Sequence, residues 1–346
     1  MQSTIFIGHH KTGSTALQHA LAVDAARLVS EGVLYPAVEF QGMAYLAAAL
    51  AGRGGAAPLN YAQGHNALGF KMIAEGGGGP VPDFHPMLPH STQMEHAIAE
   101  QVARFAPKRL ILASEVFANF GAISGGHIDE IARIAGPKAE VVVVLRRPDD
   151  YLVSWHLQRL RFGHHVGPIA EEIRHYAGTI HLDYRKMIAP WMDRFEVLHV
   201  VPYAEVKAAG GLPSWFGRRL GLSLAETAQN VGLHRGFAEI ARRAVIELGP
   251  EGGRGMLDWL HRVRIDLPTS DQIELLGHKA RREIRRGFEP VHDWLSALTG
   301  RAAFFDDLDQ SVEPLPFAEE ALRPVVIERL LATGQCPQTD WLERQR

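Results

Sequence analysis

The chain has 346 residues, of which 46% are hydrophobic, and this length allows one large α/β domain or two small ones. Its formal net charge of −3 gives no broad basic surface, which argues against a general nucleic-acid binder. Cys336 is the single cysteine, so no disulfide can form within the chain, and no apolar run reaches the roughly 18 residues of a membrane span. We expect a cytoplasmic protein without signal peptide or membrane insertion.

The first predicted element is a short buried strand at residues 4–7, because all four residues are β-branched or aromatic. Gly8 ends this strand, and a helix is predicted from about Ser14. The leucines on its predicted inner face are Leu17, Leu21 and Leu28. A strand, a glycine-flanked turn and a helix form a phosphate cradle, because the N–H groups of the turn and the positive end of the helix point at one anion.

This loop differs from the nucleotide P-loop pattern G-x-x-x-x-G-K-[ST] at one position. Gly8, Gly13 and Thr15 match the pattern. Ser14 stands at the lysine position, and the only lysine of the loop is Lys11. We interpret the displaced lysine as a sign of a different nucleotide with different charge placement. A coincidental glycine-flanked turn is the alternative.

The loop Gly8-His-His-Lys-Thr-Gly-Ser-Thr15, followed by Leu17-Gln18, resembles the 5′-phosphosulfate loop of sulfotransferases. Their donor is 3′-phosphoadenosine 5′-phosphosulfate (PAPS), and their loop carries its lysine at this place. The resemblance implies that the donor-binding residues here are His10, Lys11, Thr12, Gly13, Ser14 and Thr15.

Before the second buried strand, the pattern predicts a short strand within residues 31–36 and helices at 41–51 and 93–105. Residues 52–89 are rich in Gly, Pro and Asn, with four glycines at 76–79. We interpret this stretch as long surface loops and as a candidate flap near the site.

The second buried strand, at residues 110–113, is followed by Ser114 and Glu115. In open parallel sheets ligands bind outside the carboxyl ends of the strands, so Glu115 is a candidate catalytic group. The alternative is a helix cap, with Ser114 as N-cap and Glu115 in the first turn. The resemblance favours the catalytic role, since several sulfotransferases use a glutamate as base.

The third strand, at residues 141–145, is a continuous apolar run typical of a parallel sheet. Arg146, Pro148 and Ser154 follow it, and Arg-x-Pro with a serine eight residues after the arginine resembles the second sulfotransferase signature. In that family this arginine and serine hold the 3′-phosphate of the donor. Pro148 suits a first helical turn, and Ser154 lies about two turns further on the same face. A surface ion pair is the alternative for Arg146 alone, and Arg147 is expected to be exposed.

The remaining chain is predicted to add one strand and several helices. The polar loop 161–167 is either part of an acceptor pocket or an ordinary connection between helices. The predicted segments that follow are a helix at 184–195, a strand at 196–201 and helices at 212–222, 236–248, 253–264, 270–298 and 318–333. Arg281, Arg282, Arg285 and Arg286 are predicted to form a solvated helix face, with acceptor or partner binding as the alternative.

These observations predict an α/β fold: a P-loop type parallel sheet flanked by helices, with a helical C-terminal part. The sulfotransferase likeness covers roughly residues 3–235. We therefore expect a single domain over residues 1–346, with an α/β donor-binding core at 1–235 and a helical extension at 236–346.

The expected function is sulfuryl transfer from PAPS to an acceptor hydroxyl, which by resemblance belongs to a carbohydrate or glycoconjugate. Lys11 is expected to stabilise charge on the leaving oxygen, and Glu115 is the first candidate for the base. The other candidates are His10, His9 and His156, because some sulfotransferases use a histidine. The alternatives are an ATP-dependent small-molecule kinase and a catalytically silent nucleotide- or partner-binding protein.

No metal site is expected in this chain. The pairs His9-His10 and His164-His165 lack partners at metal-site spacing. Sulfuryl transfer by the expected mechanism needs positioning and charge stabilisation, which the loop and its cations supply.

Overall fold

The computed structural model describes residues 1–225 and 232–346. In chain order the strands are β1 (Gln2–Phe6), β2 (Val33–Leu34), β3 (Arg109–Ala113), β4 (Glu140–Leu145), β5 (Val197–Pro202), β6 (Ile273–Glu274) and β7 (Phe317–Ala318). The helices are α1 (Ser14–Val23), α2 (Ala25–Ser30), α3 (Phe40–Leu50), α4 (Leu59–Ala62), α5 (Gly64–Glu75), α6 (Ser91–Phe105), α7 (Phe120–Ile123), α8 (Gly125–Ala135), α9 (Pro148–Arg161), α10 (Ile169–Tyr176), α11 (Tyr184–Met192), α12 (Tyr203–Ala208), α13 (Leu212–Leu220), α14 (Ala238–Glu247), α15 (Gly249–Arg262), α16 (Gly277–Thr299), α17 (Glu319–Ala332) and α18 (Thr339–Glu343). Short 3-10 helices lie at Val116–Asn119, Arg235–Phe237, Ser270–Gln272 and Leu308–Val312.

The first five strands form one parallel sheet in the order β2-β3-β1-β4-β5. Strand β1 lies in the middle, with Phe6 opposite Ala113 of β3 and opposite Val142 of β4. Because β1 has β3 on one side and the later strands on the other, the winding changes direction there. In such sheets ligands bind at this switch point, outside the carboxyl ends of the strands. The α/β class and the parallel sheet flanked by helices are confirmed.

The described residues divide into two compact units. The first comprises residues 1–146 and 183–225 and contains the five-stranded sheet. The second comprises residues 147–182 and 232–346; it is mainly helical and contains the parallel pair of β6 and β7. The single domain with a helical extension from residue 236 stays a prediction. Across both described ranges, none of the helices has the length and hydropathy that a bilayer crossing requires.

The prediction of long surface loops at residues 52–89 is wrong for the middle of that stretch. Helices α4 and α5 lie there, and they bury both polar and apolar side chains. The buried residues of α5 include His65, Asn66, Ala67, Leu68, Met72 and Ile73. The glycines and asparagines suggested loops because both have low helix propensity, but tertiary packing overrides that weak preference. A smaller correction concerns Leu28, which belongs to α2 because α1 ends at Val23.

Two arginines expected to be exposed form ion pairs within the second unit. Arg147 donates to Asp149 and Asp307, at 2.7 and 2.6 Å. The Arg281 side chain is only 3% exposed and donates to Asp149 and Glu274, at 3.0 and 2.8 Å. A guanidinium removed from water requires such partners, because an unpaired buried charge costs several kcal/mol. Of the four clustered arginines, the exposed members are Arg282 and Arg286.

Candidate active site

The loop between β1 and α1 depends on two glycines. A Cβ atom on Gly8 would lie 2.1 Å from Cζ of Phe6, so the Phe6 ring can occupy this position only if residue 8 is glycine. Gly13 has φ 94° and is the N-cap residue of α1. A side chain at that φ would strain the backbone. The sequence therefore directs the chain sharply from the central strand into the first helix.

Within the loop, Lys11 also has a left-handed backbone, with φ 67°. This conformation is uncommon for residues other than glycine, and it persists only where surrounding contacts hold it. One contact comes from Thr12, whose buried hydroxyl donates to the carbonyl oxygen of His9 at 2.7 Å. The hydroxyl of Thr12 thus fixes the shape of the loop.

The start of α1 has the composition of an anion site. Because the N-cap residue is Gly13, it has no side chain that could accept hydrogen bonds from the N–H groups of the first turn. The first turn contains no acidic residue and carries two hydroxyls, those of the buried Ser14 and the half-buried Thr15. The cation Lys11 precedes it. Amide donors, hydroxyls, a lysine and no carboxylate fit a phosphate or sulfate group.

Arg146 joins this loop from the carboxyl end of β4. Its Nη1 donates to the carbonyl oxygen of Lys11 at 3.3 Å, although the two residues are 135 positions apart in the chain. Its guanidinium carbon lies 5.4 Å from the ring centroid of Tyr203. The hydroxyl of Tyr184 donates to the carbonyl oxygen of Arg146 at 2.9 Å. The parallel sheet therefore brings the first motif and the arginine of the second motif together.

Glu115 lies at the same edge of the sheet, beyond the end of β3. The N–H of Ser114 donates to the carbonyl oxygen of Phe6 at 2.9 Å, which holds the two strand ends side by side. The hydroxyl of Ser114 accepts from the N–H of Val116 at 3.0 Å, as a capping serine does. Oε2 of the half-buried Glu115 accepts from Nε2 of Gln18 at 3.1 Å. The N-cap residue of the 3-10 helix that follows is Glu115 rather than Ser114, and its side chain makes no capping hydrogen bond.

His10 interacts with the cation Lys11 and with Asn119 of the short helix that follows Glu115. Burial lowers its pKa to about 4, with a further lowering by the positive charge of Lys11, while a hydrogen bond with Asn119 acts in the opposite direction. Asn119 ends the 3-10 helix Val116–Asn119, which starts directly after Glu115. The two candidate bases thus flank one short helix, and His10 is neutral at pH 7.

The other candidate histidine of the loop has a packing role. His9 is fully buried, and its ring centroid lies 4.7 Å from that of Tyr184 in an edge-on arrangement. The same tyrosine holds the backbone of Arg146.

Two predicted site residues belong to the second unit, on α9. Ser154 is half-buried there, and its contact with the 3′-phosphate stays a prediction. His156 is buried, and burial lowers its pKa to about 4. The acceptor role of loop 161–167 also stays a prediction. In the described part of the chain, no group of three His, Cys, Asp or Glu side chains could hold a metal ion.

Several residues around this edge are absent from the sequence-based list of candidates. They are Asn66, Asn119, Tyr184 and Tyr203, together with Gln18, to which the loop motif assigns no role. For Asn66 a usable signal exists, because the apolar residues at 67, 68, 72 and 73 recur with helical spacing. The others carry no local pattern that marks them.

No protein-family model and no curated protein matches this chain. Among solved structures, it is similar to a sulfotransferase from Alicyclobacillus acidocaldarius, with 14% identity, 87% of this chain and 96% of that chain covered, and a TM-score of 0.41. It is also similar to a sulfotransferase domain from the curacin biosynthetic pathway, with 13% identity, 84% of this chain and 98% of that chain covered, and a TM-score of 0.37. Both of these solved structures are sulfotransferases.

Proposed function

We propose that this protein is a sulfotransferase that moves a sulfuryl group from PAPS to the hydroxyl of an acceptor. The observation that carries the proposal is the hydrogen bond from Nη1 of Arg146 to the carbonyl oxygen of Lys11. This hydrogen bond places a second cation, Arg146, beside the phosphate loop. The lysine of that loop, Lys11, does not stand where ATP-binding loops carry their lysine. PAPS has phosphate groups on both the 3′ and the 5′ side of its ribose, so it suits two such cationic centres.

The residues of the loop would bind the 5′-phosphosulfate end of the donor. Backbone N–H groups at the start of α1 and the hydroxyls of Ser14 and Thr15 would donate to its oxygens. Arg146 would grip the 3′-phosphate with two parallel hydrogen bonds, and Ser154 would add a third. The donor supplies an activated sulfuryl group whose bridging oxygen gains negative charge as it leaves.

Lys11 would act on that charge. An ammonium group already placed in the loop stabilises charge that develops in the transition state without reorganisation of solvent. Sulfuryl transfer resembles phosphoryl transfer in its loose transition state, so positioning and electrostatic stabilisation carry most of the rate enhancement.

Glu115 would take the proton of the acceptor hydroxyl. It lies beyond the end of the strand next to β1, and Gln18 holds one of its oxygens. His10 is the second candidate, since a neutral imidazole accepts a proton as well. Because the pKa of His10 is lowered to about 4, the acid limb of a pH–rate profile would not separate a histidine base from a carboxylate. The comparison of Glu115→Gln with His10→Asn decides between them.

The acceptor is proposed to carry a hydroxyl on a sugar, as in a carbohydrate or glycoconjugate; this rests on the resemblance of the motifs. The chain has one cysteine, which suits a reducing compartment, and we propose that the protein acts in the cytoplasm.

The test is calorimetry followed by turnover. We expect adenosine 3′,5′-bisphosphate to bind far more tightly than adenosine 5′-phosphate or ATP, and PAPS to be consumed only with a hydroxyl acceptor. Equal affinity for adenosine 5′-phosphate would overturn the donor assignment. Turnover that needs Mg²⁺ and ATP would indicate a kinase. Tight binding without turnover on any sugar, phenol or amine acceptor would indicate a silent binding protein.

A further inference from the structure

Three acceptors surround the amide nitrogen of Gln18. Nε2 lies 2.9 Å from Oδ1 of Asn66, 3.0 Å from the carbonyl oxygen of Ala113 and 3.1 Å from Oε2 of Glu115. The side chain of Gln18 is fully buried. A buried amide is costly unless its donors are used, so this arrangement is a fixed part of the fold.

The orientation of the Gln18 amide is determined by its neighbours. Nδ2 of Asn66 donates back to Oε1 of Gln18 at 3.3 Å, so the two amides form a reciprocal pair. The hydroxyl of Ser114 donates to Oδ1 of Asn66 at 2.7 Å, which assigns that oxygen as the acceptor. The pair uses one hydrogen of Nε2, and the second hydrogen is left for Ala113 and Glu115. A flipped Gln18 would turn its oxygen toward a carbonyl and a carboxylate.

The same contacts leave one carboxylate oxygen available. Gln18 holds Oε2 of Glu115, whereas no donor among the described residues reaches Oε1. Gln18 lies one helical turn after Ser14 on α1, the helix that starts at the phosphate loop. The helix that would bind the donor phosphate therefore also carries the amide that orients the candidate base.

We propose that Gln18, braced by Asn66, is a positioning residue that holds the Glu115 carboxylate toward the acceptor and couples it to the phosphate loop. This inference rests on the proposed function, in which Glu115 is the base.

Two titratable groups lie near Glu115 on the elements packed around it. Tyr35 is buried, and its pKa is raised well above 10 by burial, by Tyr61 and by Glu115 itself, so it stays neutral. His65 accepts from the N–H of Ala113, and burial lowers its pKa to about 3, so it is also neutral above pH 5. Neither group changes charge between pH 5 and 9, and the neighbour that donates to Glu115 is the uncharged amide of Gln18.

The kinetic test replaces Gln18 with methionine, which keeps the length and removes the amide. In Gln18→Met we expect turnover to fall about ten- to a hundredfold with donor affinity within about twofold. In a Glu115→Gln background the same change should have no further effect on turnover. An equal loss with and without the Glu115 carboxylate would overturn the positioning role.

Gln101 provides the matched control. It is another buried amide of the first unit, and Nε2 donates to the carbonyl oxygens of Ala37 and Ala97, both at 2.7 Å. Gln101→Met should lower stability as Gln18→Met does but leave turnover within about twofold. A similar loss of turnover in both variants would show a general effect of destabilisation and overturn the proposal.

A second readout does not depend on sulfuryl transfer. Carbon-13 NMR at one fixed pH should give a different chemical shift for the Glu115 carboxyl carbon in Gln18→Met than in the unchanged protein, because that carboxyl loses a hydrogen bond, and no difference in Gln101→Met. This chemical-shift change without turnover in any assay would reject the proposed function and keep the hydrogen bond. Turnover with no chemical-shift change would reject the inference alone. If Gln18→Met does not fold, Asn66→Leu removes the brace of the Gln18 amide, and an unchanged Glu115 signal with unchanged turnover in that variant would overturn the proposal.

Discussion

The substitution Arg146→Ala tests whether Arg146 binds the 3′-phosphate of the proposed donor, independently of the loop that would bind its 5′-phosphosulfate. Within the first unit Arg146 donates a long, part-buried hydrogen bond of 3.3 Å to Lys11, and its contact with Tyr203 is worth about 0.5–1 kcal/mol. The bound 3′-phosphate, in contrast, would lose the guanidinium and its two hydrogen bonds, and each hydrogen bond to a charged group is worth about 1.5–3 kcal/mol. The affinity for adenosine 3′,5′-bisphosphate should therefore fall at least roughly tenfold, and about 150-fold or more at the upper value.

The assay is calorimetry with two ligands that differ only in the 3′-phosphate. Affinity for adenosine 5′-phosphate should change less than about threefold in Arg146→Ala, so the difference between the two ligands should shrink. Arg146→Lys keeps the charge but loses the fork of two donors, and it should give an intermediate loss. Arg147→Ala is the control, because that arginine pairs with Asp149 and Asp307. A loss shared equally by both ligands, or an equal selective loss in Arg147→Ala, would refute the assignment.

Lys11→Ala should lower turnover about a hundredfold or more with little change in donor affinity, whereas full turnover with only a raised Michaelis constant would assign Lys11 to binding. Glu115→Gln should lower turnover about a hundred- to ten-thousandfold and His10→Asn less than tenfold; the reverse order in steady-state kinetics would make His10 the base. His65 is neutral in the fold, since burial lowers its pKa to about 3, so the unfolded chain binds one more proton below its ordinary pKa of about 6.5. The free energy of unfolding should thus fall as the pH is lowered from about 6.5 toward 3. In urea titrations, His65→Asn should reduce the slope of this free energy against pH by about 1.4 kcal/mol per pH unit, whereas the exposed His19→Asn should not. An unchanged slope in His65→Asn would contradict the reasoning.

The sequence predicts those parts of the fold that are determined by residues close together in the chain. The short β-branched run at residues 141–145 favours a buried strand, and Gly8 and Gly13 mark a turn that other residues would strain. Once the strands are assigned, a parallel sheet brings their carboxyl ends to one edge. That rule alone places Lys11 and Arg146 at the same edge, and the hydrogen bond between them agrees with it.

The errors arise where a side chain is buried by partners distant in sequence. Asn66 looks like a loop residue because asparagine favours turns, yet here its amide pairs with Gln18, 48 residues away. Arg281 lies in a run of arginines that resembles a solvated helix face, but it pairs with Asp149, 132 residues away. Neither partner can be read from local periodicity, since the pairing depends on which helices pack together.

The buried amides explain why the first helix matters beyond its phosphate-binding end. A loop that only bound phosphate would need the N–H groups of the first turn and nothing from the second turn. In this chain the second turn carries Gln18, which contacts the end of β3 at Ala113 and the carboxylate of Glu115. A displacement of α1 by about 0.5 Å, the tolerance of a productive site, would therefore move the phosphate donors and the candidate base together. A substitution in the second turn should change turnover more than donor affinity, and this distinguishes a shared scaffold from two independent sites.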